Sequence, residues 1–186
     1  MTRIISGNAR GRRLEVPKSG TRPTSDRVRE ALFSRFESLK GIKGSAFLDL
    51  YAGSGAVGFE AASRGAKSVD LVDKSDSAFN CMTKNRDSIS GDTQDCVVRP
   101  HRASVLSFLE TNRSSWDAVF IDPPYEFERK TITDVLDALT RHLEKGAVIA
   151  VERSTRGFAP DWPSEYQELE PKDYGETRIY WLELVG

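Results

Sequence analysis

Short runs of apolar residues recur along this chain, and from residue 45 onward they alternate with segments whose apolar positions have helical spacing. Runs that are apolar at every position are typical of parallel strands buried on both faces. Repeated strand–helix units imply right-handed crossovers and an open sheet with helices on both sides. The pattern therefore predicts an α/β fold with a doubly wound, mostly parallel sheet. The predicted strands are 46–50, 68–72, 96–98, 116–121 and 147–151, and the predicted helices are 57–64, 76–88, 105–110 and 129–143.

The two ends of the chain differ from this alternation. Residues 3–16 have the pattern of a short hairpin, and a helix capped by Thr24 or Ser25 follows, with Gly41 beyond its end. Near the other end, residues 166–169 and 177–184 predict an antiparallel hairpin at one edge of the sheet. We expect one domain spanning 1–186, in which 1–24 form a basic hairpin extension and 25–186 form the α/β core.

Composition narrows the class of protein. The 186 residues are 38% hydrophobic and 30% charged, as in soluble globular domains. Because the sequence contains neither a membrane-spanning run nor a charged-then-apolar leader, we expect a cytoplasmic protein. Cys81 and Cys96 have no metal-ligand spacing, so we expect reduced thiols and no metal site.

Basic residues are concentrated near the start of the chain. Residues 1–40 contain ten Lys or Arg against four Asp or Glu, whereas the remainder contains seventeen against twenty-four. A basic segment on an acidic body favours a localised anionic partner such as nucleic acid, with a solvated charged face as the alternative. Some of these arginines can instead form structural ion pairs, and Arg27 with Glu30 is the first candidate. The candidate phosphate-binding residues are Arg10, Arg12, Arg13, Arg22, Arg27 and Arg29.

A glycine-rich turn follows the first core strand and indicates a cofactor site. In open parallel sheets, ligands bind beyond the carboxyl ends of the strands, and Asp73 at the end of the second strand can accept ribose hydroxyls. The pattern Gly53-x-Gly55-x-x-Gly58 also fits a dinucleotide-binding dehydrogenase. Asp49 favours S-adenosylmethionine instead, because a carboxylate can bind its ammonium group and would repel a pyrophosphate. The candidate cofactor residues are Asp49, Ala52, Gly53, Ser54, Gly55, Asp73, Lys74, Ala103 and Ser104.

The segment Asp122-Pro123-Pro124-Tyr125 follows the strand 116–121 and indicates chemistry on an amine. The exocyclic amine of a nucleobase is a poor nucleophile because its lone pair is delocalised into the ring. The Asp122 carboxylate and the Pro123 carbonyl can accept the amine hydrogens and favour the pyramidal, reactive form. The two prolines restrict the backbone there, and Tyr125 can stack on the base, which contributes about 1–3 kcal/mol. This chemistry requires no metal.

The order of these motifs resembles that of class I, S-adenosylmethionine-dependent amino-methyltransferases. The segments 11–14 and 22–33, rich in arginine, resemble those of the bacterial 16S ribosomal RNA guanine-N2 methyltransferase family of the RsmD type. The resemblance covers nearly the whole chain. It implies a seven-stranded Rossmann-like core and methylation of one guanine N2, guanine 966, in small-subunit RNA.

The resemblance also assigns roles to residues of this chain. It implies that Asp49, Gly53, Gly55 and Asp73 hold the cofactor, that 122–125 hold the guanine, and that the N-terminal arginines hold RNA. The expected substrate is 16S RNA within the assembled small subunit, and the expected enzyme is a monomer. Ser104 departs from the family, which more often has Asp or Asn there, so a backbone contact to adenine is expected at that position.

Three other functions remain as alternatives. A DNA adenine-N6 methyltransferase uses the same Asp-Pro-Pro-Tyr chemistry, but this chain has no insertion large enough for a target-recognition domain. A protein-glutamine methyltransferase would more often have Asn at position 122 and would not need the basic segment. A non-catalytic RNA-binding assembly factor would not need an intact Asp122 together with Gly53 and Gly55.

Overall fold

The computed structural model describes residues 2–18 and 23–186. The chain forms an α/β domain whose helices flank a central sheet, with a small hairpin before the first helix. The helices are α1 (Asp26–Leu39), α2 (Ala56–Ser63), α3 (Asp76–Ile89), α4 (Val105–Thr111) and α5 (Arg129–Thr140). The strands are β1 (Thr2–Arg3), β2 (Arg13–Leu14), β3 (Ala46–Leu50), β4 (Ser68–Asp73), β5 (Val97–Arg102), β6 (Trp116–Ile121), β7 (Leu143–Ser154), β8 (Tyr166–Tyr174) and β9 (Thr177–Leu184).

The main sheet has seven strands in the order β5-β4-β3-β6-β7-β9-β8. The first five strands in this order are parallel, and β9 pairs antiparallel with both β7 and β8. The predicted mostly parallel sheet with an antiparallel edge hairpin is therefore confirmed. The strand order reverses between β3 and β6, and their carboxyl ends flank the crevice where such sheets bind ligands.

A hydrophobic core lies on each face of the sheet. On one face, α1 packs against the sheet through Phe36, whose ring lies 4.9 Å from that of Trp181 on β9 in an edge-to-face contact. On the other face, α4 and α5 cover a second cluster that includes the buried Trp116. Because successive strand residues face opposite sides, Asp49 and Phe120 project toward the α1 side, as does Asp122, two residues beyond Phe120.

The strands differ from the sequence-based expectations mainly at their ends. The predicted strand 147–151 is the centre of β7, which extends to Ser154 because its last residues pair with the start of β9. α5 ends at Thr140 rather than at 143, and β5 continues to Arg102. Polar residues thus extend strands whose apolar centres alone were visible in the sequence pattern.

The N-terminal hairpin is fixed to α2 by backbone contacts. The carboxylate of the buried Glu60 accepts hydrogen bonds from the amides of Ile5 at 2.9 Å and Ser6 at 3.0 Å. Gly7 has a φ of +88°, and a Cβ there would lie 1.9 Å from the carbonyl oxygen of Ser63. Only glycine allows this close approach, so the hairpin lies directly on the core.

Candidate active site

Four acidic side chains form a row at the carboxyl edge of the sheet. Asp73, Asp49, Asp122 and Glu152 belong to or directly follow the neighbouring strands β4, β3, β6 and β7, in that order. The pairings of Asp49 with Leu71 and of Phe120 with Ala150 place all four on the α1 side of the sheet. These four residues, which lie far apart in the sequence, therefore come together at the point where the strand order reverses.

Asp49 is 2% exposed and braces the start of α2. Its Oδ2 accepts a hydrogen bond of 2.9 Å from the amide of Gly58. Burial raises the pKa of Asp49 well above its usual value, and the nearby Asp73 raises it further. A cationic group in the cleft would lower that pKa and stabilise the carboxylate, which fits the predicted contact with an ammonium.

Asp73 organises the glycine-rich turn. Its Oδ2 accepts a hydrogen bond of 3.0 Å from the amide of Gly53, and its Oδ1 accepts one of 2.9 Å from the amide of Ser75. Gly55 precedes α2 with a φ of +81°, and a Cβ there would lie 2.7 Å from the ring of Phe59. Gly55 is thus required by backbone conformation and packing, whereas Gly53 lies at the cleft surface.

Two adjoining cavities open along this edge and share Tyr51, Gly53, Asp73 and Asp122 in their walls. The larger, about 390 Å³, lies between the glycine-rich turn and residues on both sides of the segment 19–22. The smaller, about 270 Å³, has a mainly apolar lining from α4 and α5. Candidate residues in the first cavity are Asp49, Ala52, Gly53, Ser54, Asp73 and Asp122, and those in the second include Lys74, Ala103 and Ser104.

The hydroxyl of Ser104 is already used within the protein. It caps α4 by accepting a hydrogen bond of 3.3 Å from the amide of Ser107. The side chain therefore contributes to the start of the helix, and the residue lines the smaller cavity next to Ala103. This arrangement supports the expectation that any contact from Ser104 to an adenine uses its backbone.

Asp122 is half-buried and lies in an acidic environment. Burial raises its pKa well above the usual value, and Glu152 and then Asp49 raise it further, while Arg153 opposes them. A ligand that donates hydrogen bonds to Asp122 would stabilise its ionised form in these surroundings. This is the property expected of a carboxylate that binds an amine.

A buried arginine shapes the backbone of the Asp122–Tyr125 segment. Arg153 is 8% exposed, and its Nη1 donates to the carbonyls of Pro124 at 3.0 Å and Pro123 at 3.4 Å. Its Nη2 donates to those of Tyr125 at 3.1 Å and Phe127 at 3.4 Å. The Pro123 carbonyl can still accept a hydrogen bond from an amine, because a carbonyl oxygen has a second lone pair in addition to the one that Arg153 uses.

The site has one exposed aromatic residue, Tyr125, and a half-buried pair, Tyr51 and Phe127. Tyr125 is 62% exposed, so its ring can be reached by a base. Tyr51 has a φ of +60°, which is uncommon for a residue other than glycine, and its ring meets that of Phe127 edge-on at 5.5 Å. Burial raises the pKa of Tyr51 to about 12, so its hydroxyl stays protonated near neutral pH.

Sequence reasoning missed four residues of this site, namely Tyr51, Thr24, Glu152 and Arg153. The sequence does contain a signal for Tyr51 as a site residue, namely its position between Asp49 and the glycine-rich turn. The charged pair Glu152 and Arg153 directly follows the apolar run 147–151, as Asp122 follows the run 116–121. This similar position after an apolar run indicates that both residues lie at the same edge of the sheet as Asp122.

The structure corrects the prediction for Arg29, which does not lie on a phosphate-binding surface. Its side chain is 0% exposed and donates hydrogen bonds to the Arg3 carbonyl, to Thr2 Oγ1 at 3.0 Å and to Asp26 Oδ1 at 3.1 Å. Its Nε also lies 3.8 Å from Glu60 Oε2. Burial lowers the pKa of Arg29, and Glu60 and Asp26 oppose that effect.

The other candidate arginines have different environments. Arg10, Arg13 and Arg27 are exposed, and the Nε of the exposed Arg12 lies 2.7 Å from Asp92 Oδ2. Within α1, Arg29 forms an ion pair with Asp26, whereas the predicted Arg27–Glu30 pair does not form among the described residues. Arg22 lies outside the described residues.

The described part of the chain holds neither a metal-binding cluster nor a helix suited to a membrane. Within residues 2–18 and 23–186, no group of three or more His, Cys, Asp or Glu side chains could hold a metal ion. No helix in the same ranges combines the length and the apolar character that crossing a bilayer requires.

A seven-stranded sheet of this order, with acidic residues and a glycine-rich turn at its switch point and Asp-Pro-Pro-Tyr after β6, defines a class I methyltransferase. Comparison with known proteins agrees. The family model described as conserved hypothetical protein 95 matches residues 2–183, and the chain belongs to this family.

Named relatives match most of the chain. Ribosomal RNA small subunit methyltransferase D from Escherichia coli (strain K12) is 34% identical over 189 residues, covering 99% of this chain and 91% of the relative. The protein of the same name from Haemophilus influenzae is 39% identical over 153 residues, covering 81% and 77%. The structure of yhhF from Escherichia coli matches with a TM-score of 0.83 and 31% identity over 98% of this chain and 97% of that one.

Proposed function

We propose that this protein transfers a methyl group from S-adenosylmethionine to the N2 amine of one guanine in 16S ribosomal RNA, guanine 966. The observation that carries the proposal is the placement of Asp122 and its arginine-braced loop beside Asp49, at the switch point of the sheet. Relatives named ribosomal RNA small subunit methyltransferase D support the choice of RNA. The exposed arginines of the N-terminal hairpin support an anionic substrate.

The residues of the two cavities fit the proposed cofactor. Asp49 suits the ammonium group of the methionine moiety, and Asp73 suits the ribose hydroxyls. The smaller cavity, with Ala103 and Val135 in its apolar wall, suits an adenine ring. S-Adenosylmethionine supplies a methyl group that is already activated by the sulfonium. The protein therefore has to align donor and acceptor, and such alignment contributes about 7–11 kcal/mol.

On the acceptor side, the chain provides groups that match an aromatic amine. Asp122 and the Pro123 carbonyl accept the amine hydrogens, which localises the nitrogen lone pair for attack on the methyl carbon. As the methyl–sulfur bond of the sulfonium breaks and leaves a neutral thioether, the nitrogen would gain the methyl group and give up one proton, for which Asp122 is the proposed acceptor. Tyr125 stacks on the base from the exposed side.

The hairpin extension, residues 1–24, is proposed to bind RNA for the catalytic core, residues 25–186. Arginine contacts to phosphates position an RNA without reading its sequence. The target base is then presented unstacked, as RNA recognition generally requires. We propose that the substrate is 16S RNA in the assembled small subunit, and that the enzyme acts as a monomer in the cytoplasm.

The proposed function is tested by offering labelled S-adenosylmethionine with three acceptors in parallel. These are small ribosomal subunits, naked 16S RNA and double-stranded DNA, and the modified base is identified by mass spectrometry after digestion. We expect N2-methylguanine at one position, with small subunits as the best acceptor. Methyladenine in DNA would establish the rival DNA methyltransferase, and no transfer to any acceptor would support a non-catalytic assembly factor.

Replacing Arg10 and Arg13 together with alanine should weaken RNA binding and flatten its salt dependence. Removing one phosphate-binding charge lowers the slope of log K against log salt by about 0.7–0.9. We therefore expect a slope lower by about 1.4–1.8 for the double variant, measured by filter binding at several salt concentrations. Arg113→Ala is the control, because this exposed arginine follows α4, which packs on the face of the sheet opposite to the hairpin. An unchanged slope in the double variant would place the RNA surface elsewhere.

Replacing Arg153 with lysine should lower kcat by about 10-fold to 100-fold while leaving cofactor affinity nearly unchanged. An ammonium group cannot reproduce the planar fork that donates to the carbonyls of Pro123, Pro124, Tyr125 and Phe127. Misplacement of a reacting group by about 1 Å can cost 10²-fold in rate. Single-turnover methyl transfer and calorimetric cofactor binding measure the two effects.

Arg178→Lys is the matched control, because Arg178 pairs with Arg153 across β7 and β9 but bonds to Asp173 instead. We expect wild-type kcat in this control. Equal losses in both variants would show that the effect arises from the strand pairing and not from the loop.

A further inference from the structure

Glu152 lies beside Asp122, and none of the roles assigned above uses it. Val151 pairs with Ile121, so the residues that follow them, Glu152 and Asp122, lie side by side. Glu152 is 8% exposed, and its charge raises the pKa of Asp122. Two acidic side chains therefore share the place where the target amine is proposed to bind.

The carboxylate of Glu152 uses only part of its hydrogen-bonding capacity within the protein. Its Oε2 accepts a hydrogen bond of 3.1 Å from Thr24 Oγ1, and Thr24 is the only partner of this carboxylate among residues 2–18 and 23–186. Both Thr24 and Asp122 line the larger cavity. A buried carboxylate is costly unless further donors reach it, and Oε1 accepts no hydrogen bond from the described residues, so a ligand bound at Asp122 could supply that donor.

The edge of guanine supplies two adjacent donors for two adjacent carboxylates. Its N2 amine lies next to N1–H, whereas the N6 amine of adenine lies next to an N1 lone pair. A single carboxylate such as Asp122 can accept from either amine. A second carboxylate next to it can accept N1–H from guanine but repels the N1 lone pair of adenine.

We propose that Glu152 accepts the N1–H of the target guanine through Oε1, while Thr24 holds Oε2, and that this contact selects guanine over bases with an unprotonated N1. The inference rests on the proposed function, because it requires that guanine N2 be the methyl acceptor. Asp122 remains the partner of the N2 amine. Glu152 is thus a specificity-determining residue that touches the base beside its reacting atom.

The test uses 2,6-diaminopurine, which keeps the N2 amine of guanine but has an N1 lone pair in place of N1–H. Small subunits are reconstituted with 16S RNA that carries either guanine or 2,6-diaminopurine at the methylated position, and N2 methylation is measured. The wild-type enzyme should prefer guanine by about 100-fold in kcat/KM, as a good pair of base contacts provides.

The variant Glu152→Gln should reduce or reverse this preference. The hydroxyl of Thr24 donates to the amide oxygen, which turns the amide NH₂ toward the base. That NH₂ can donate to N1 of 2,6-diaminopurine and opposes N1–H of guanine. We expect the guanine preference to fall by at least about tenfold, with cofactor affinity and melting temperature close to those of the wild type.

Glu168→Gln is the matched control, since Glu168 is exposed on β8, and it should keep the wild-type preference. Equal losses on both substrates in Glu152→Gln would overturn the inference, because a structural role affects both bases alike. If that variant does not fold, Thr24→Val releases the carboxylate and should also narrow the preference, and an unchanged ratio overturns the inference. Wild-type enzyme that methylates both bases equally well overturns the role of Glu152 alone, whereas no guanine methylation overturns the proposed function as well.

Discussion

Replacing Asp122 with alanine should lower the rate of methyl transfer by about 10³-fold, the upper end of the effect of removing one preorganised group at a reacting centre. Without this carboxylate, the amine would lose the acceptor that is proposed to localise its lone pair. Affinity for S-adenosylmethionine should stay within a few-fold, because the proposed cofactor contacts of Asp49 and Asp73 do not involve Asp122. Single-turnover transfer from labelled cofactor and equilibrium binding measure the two quantities separately.

Asp137→Ala is the control for that variant, since Asp137 is exposed on α5. Turnover retained in Asp122→Ala would show that another group holds the amine. The pH dependence offers a second check. Because burial and Glu152 raise the pKa of Asp122, the active carboxylate form is lost as the pH falls through that raised value, earlier than for an ordinary aspartate.

The raised pKa of Asp122 affects stability in the opposite direction: activity is lost as the pH falls, whereas stability is lost as the pH rises. A carboxyl group whose pKa is higher in the folded than in the unfolded state binds protons more tightly when folded. Its contribution to stability is therefore fully present below the unfolded pKa and is lost as the pH rises through the folded one. Asp122→Asn should accordingly unfold at higher temperature than the wild type at neutral pH, although its activity is lower.

Replacing Arg29 with methionine should destabilise the fold by about 3–5 kcal/mol, the cost of removing one partner from a buried ion pair. The change leaves Glu60 in the interior without this arginine and removes three hydrogen bonds to the N-terminal hairpin and Asp26. Urea denaturation followed by circular dichroism measures the free energy of unfolding.

Arg27→Met is the matched control on the same helix, because Arg27 is exposed. A surface substitution of this kind usually changes stability by less than about 0.5 kcal/mol. If Arg29→Met kept wild-type stability and instead weakened RNA binding, Arg29 would lie on the RNA surface after all. The two variants thus separate a structural arginine from a binding one within a single helical turn.

The positions of the acidic site residues could be predicted from the sequence, because the carboxyl ends of parallel strands lie at one edge of a sheet. Asp49 lies near the end of an apolar run, Asp73 ends one and Asp122 follows one, and parallel strands bring their carboxyl ends to one edge. The central strands and the edge hairpin were predicted for the same reason, since their apolar positions determine which faces are buried.

The burial of Arg29 could not be predicted, because it depends on contacts distant in the sequence. An arginine three residues after an aspartate in a first helical turn has the pattern of a solvated ion pair. Its environment is created by residues 2–3, which fold back over α1, and by Glu60 on α2. Glu152 and Arg153 were not predicted as strand or site residues, because a charged pair in the sequence indicates the end of an apolar strand. In the structure, pairing with β9 continues β7 through both residues.

The contact of Gly7 with Ser63 has a consequence for target choice. Since the hairpin lies on the core through its backbone, its arginines stand at a constant offset from Asp122. If the hairpin binds RNA phosphates as proposed, this fixed distance would allow only a nucleotide at the matching distance along the folded RNA to reach the cleft. Gly7→Ala, by tilting the hairpin, would then shift or blur the methylated position rather than merely weaken binding.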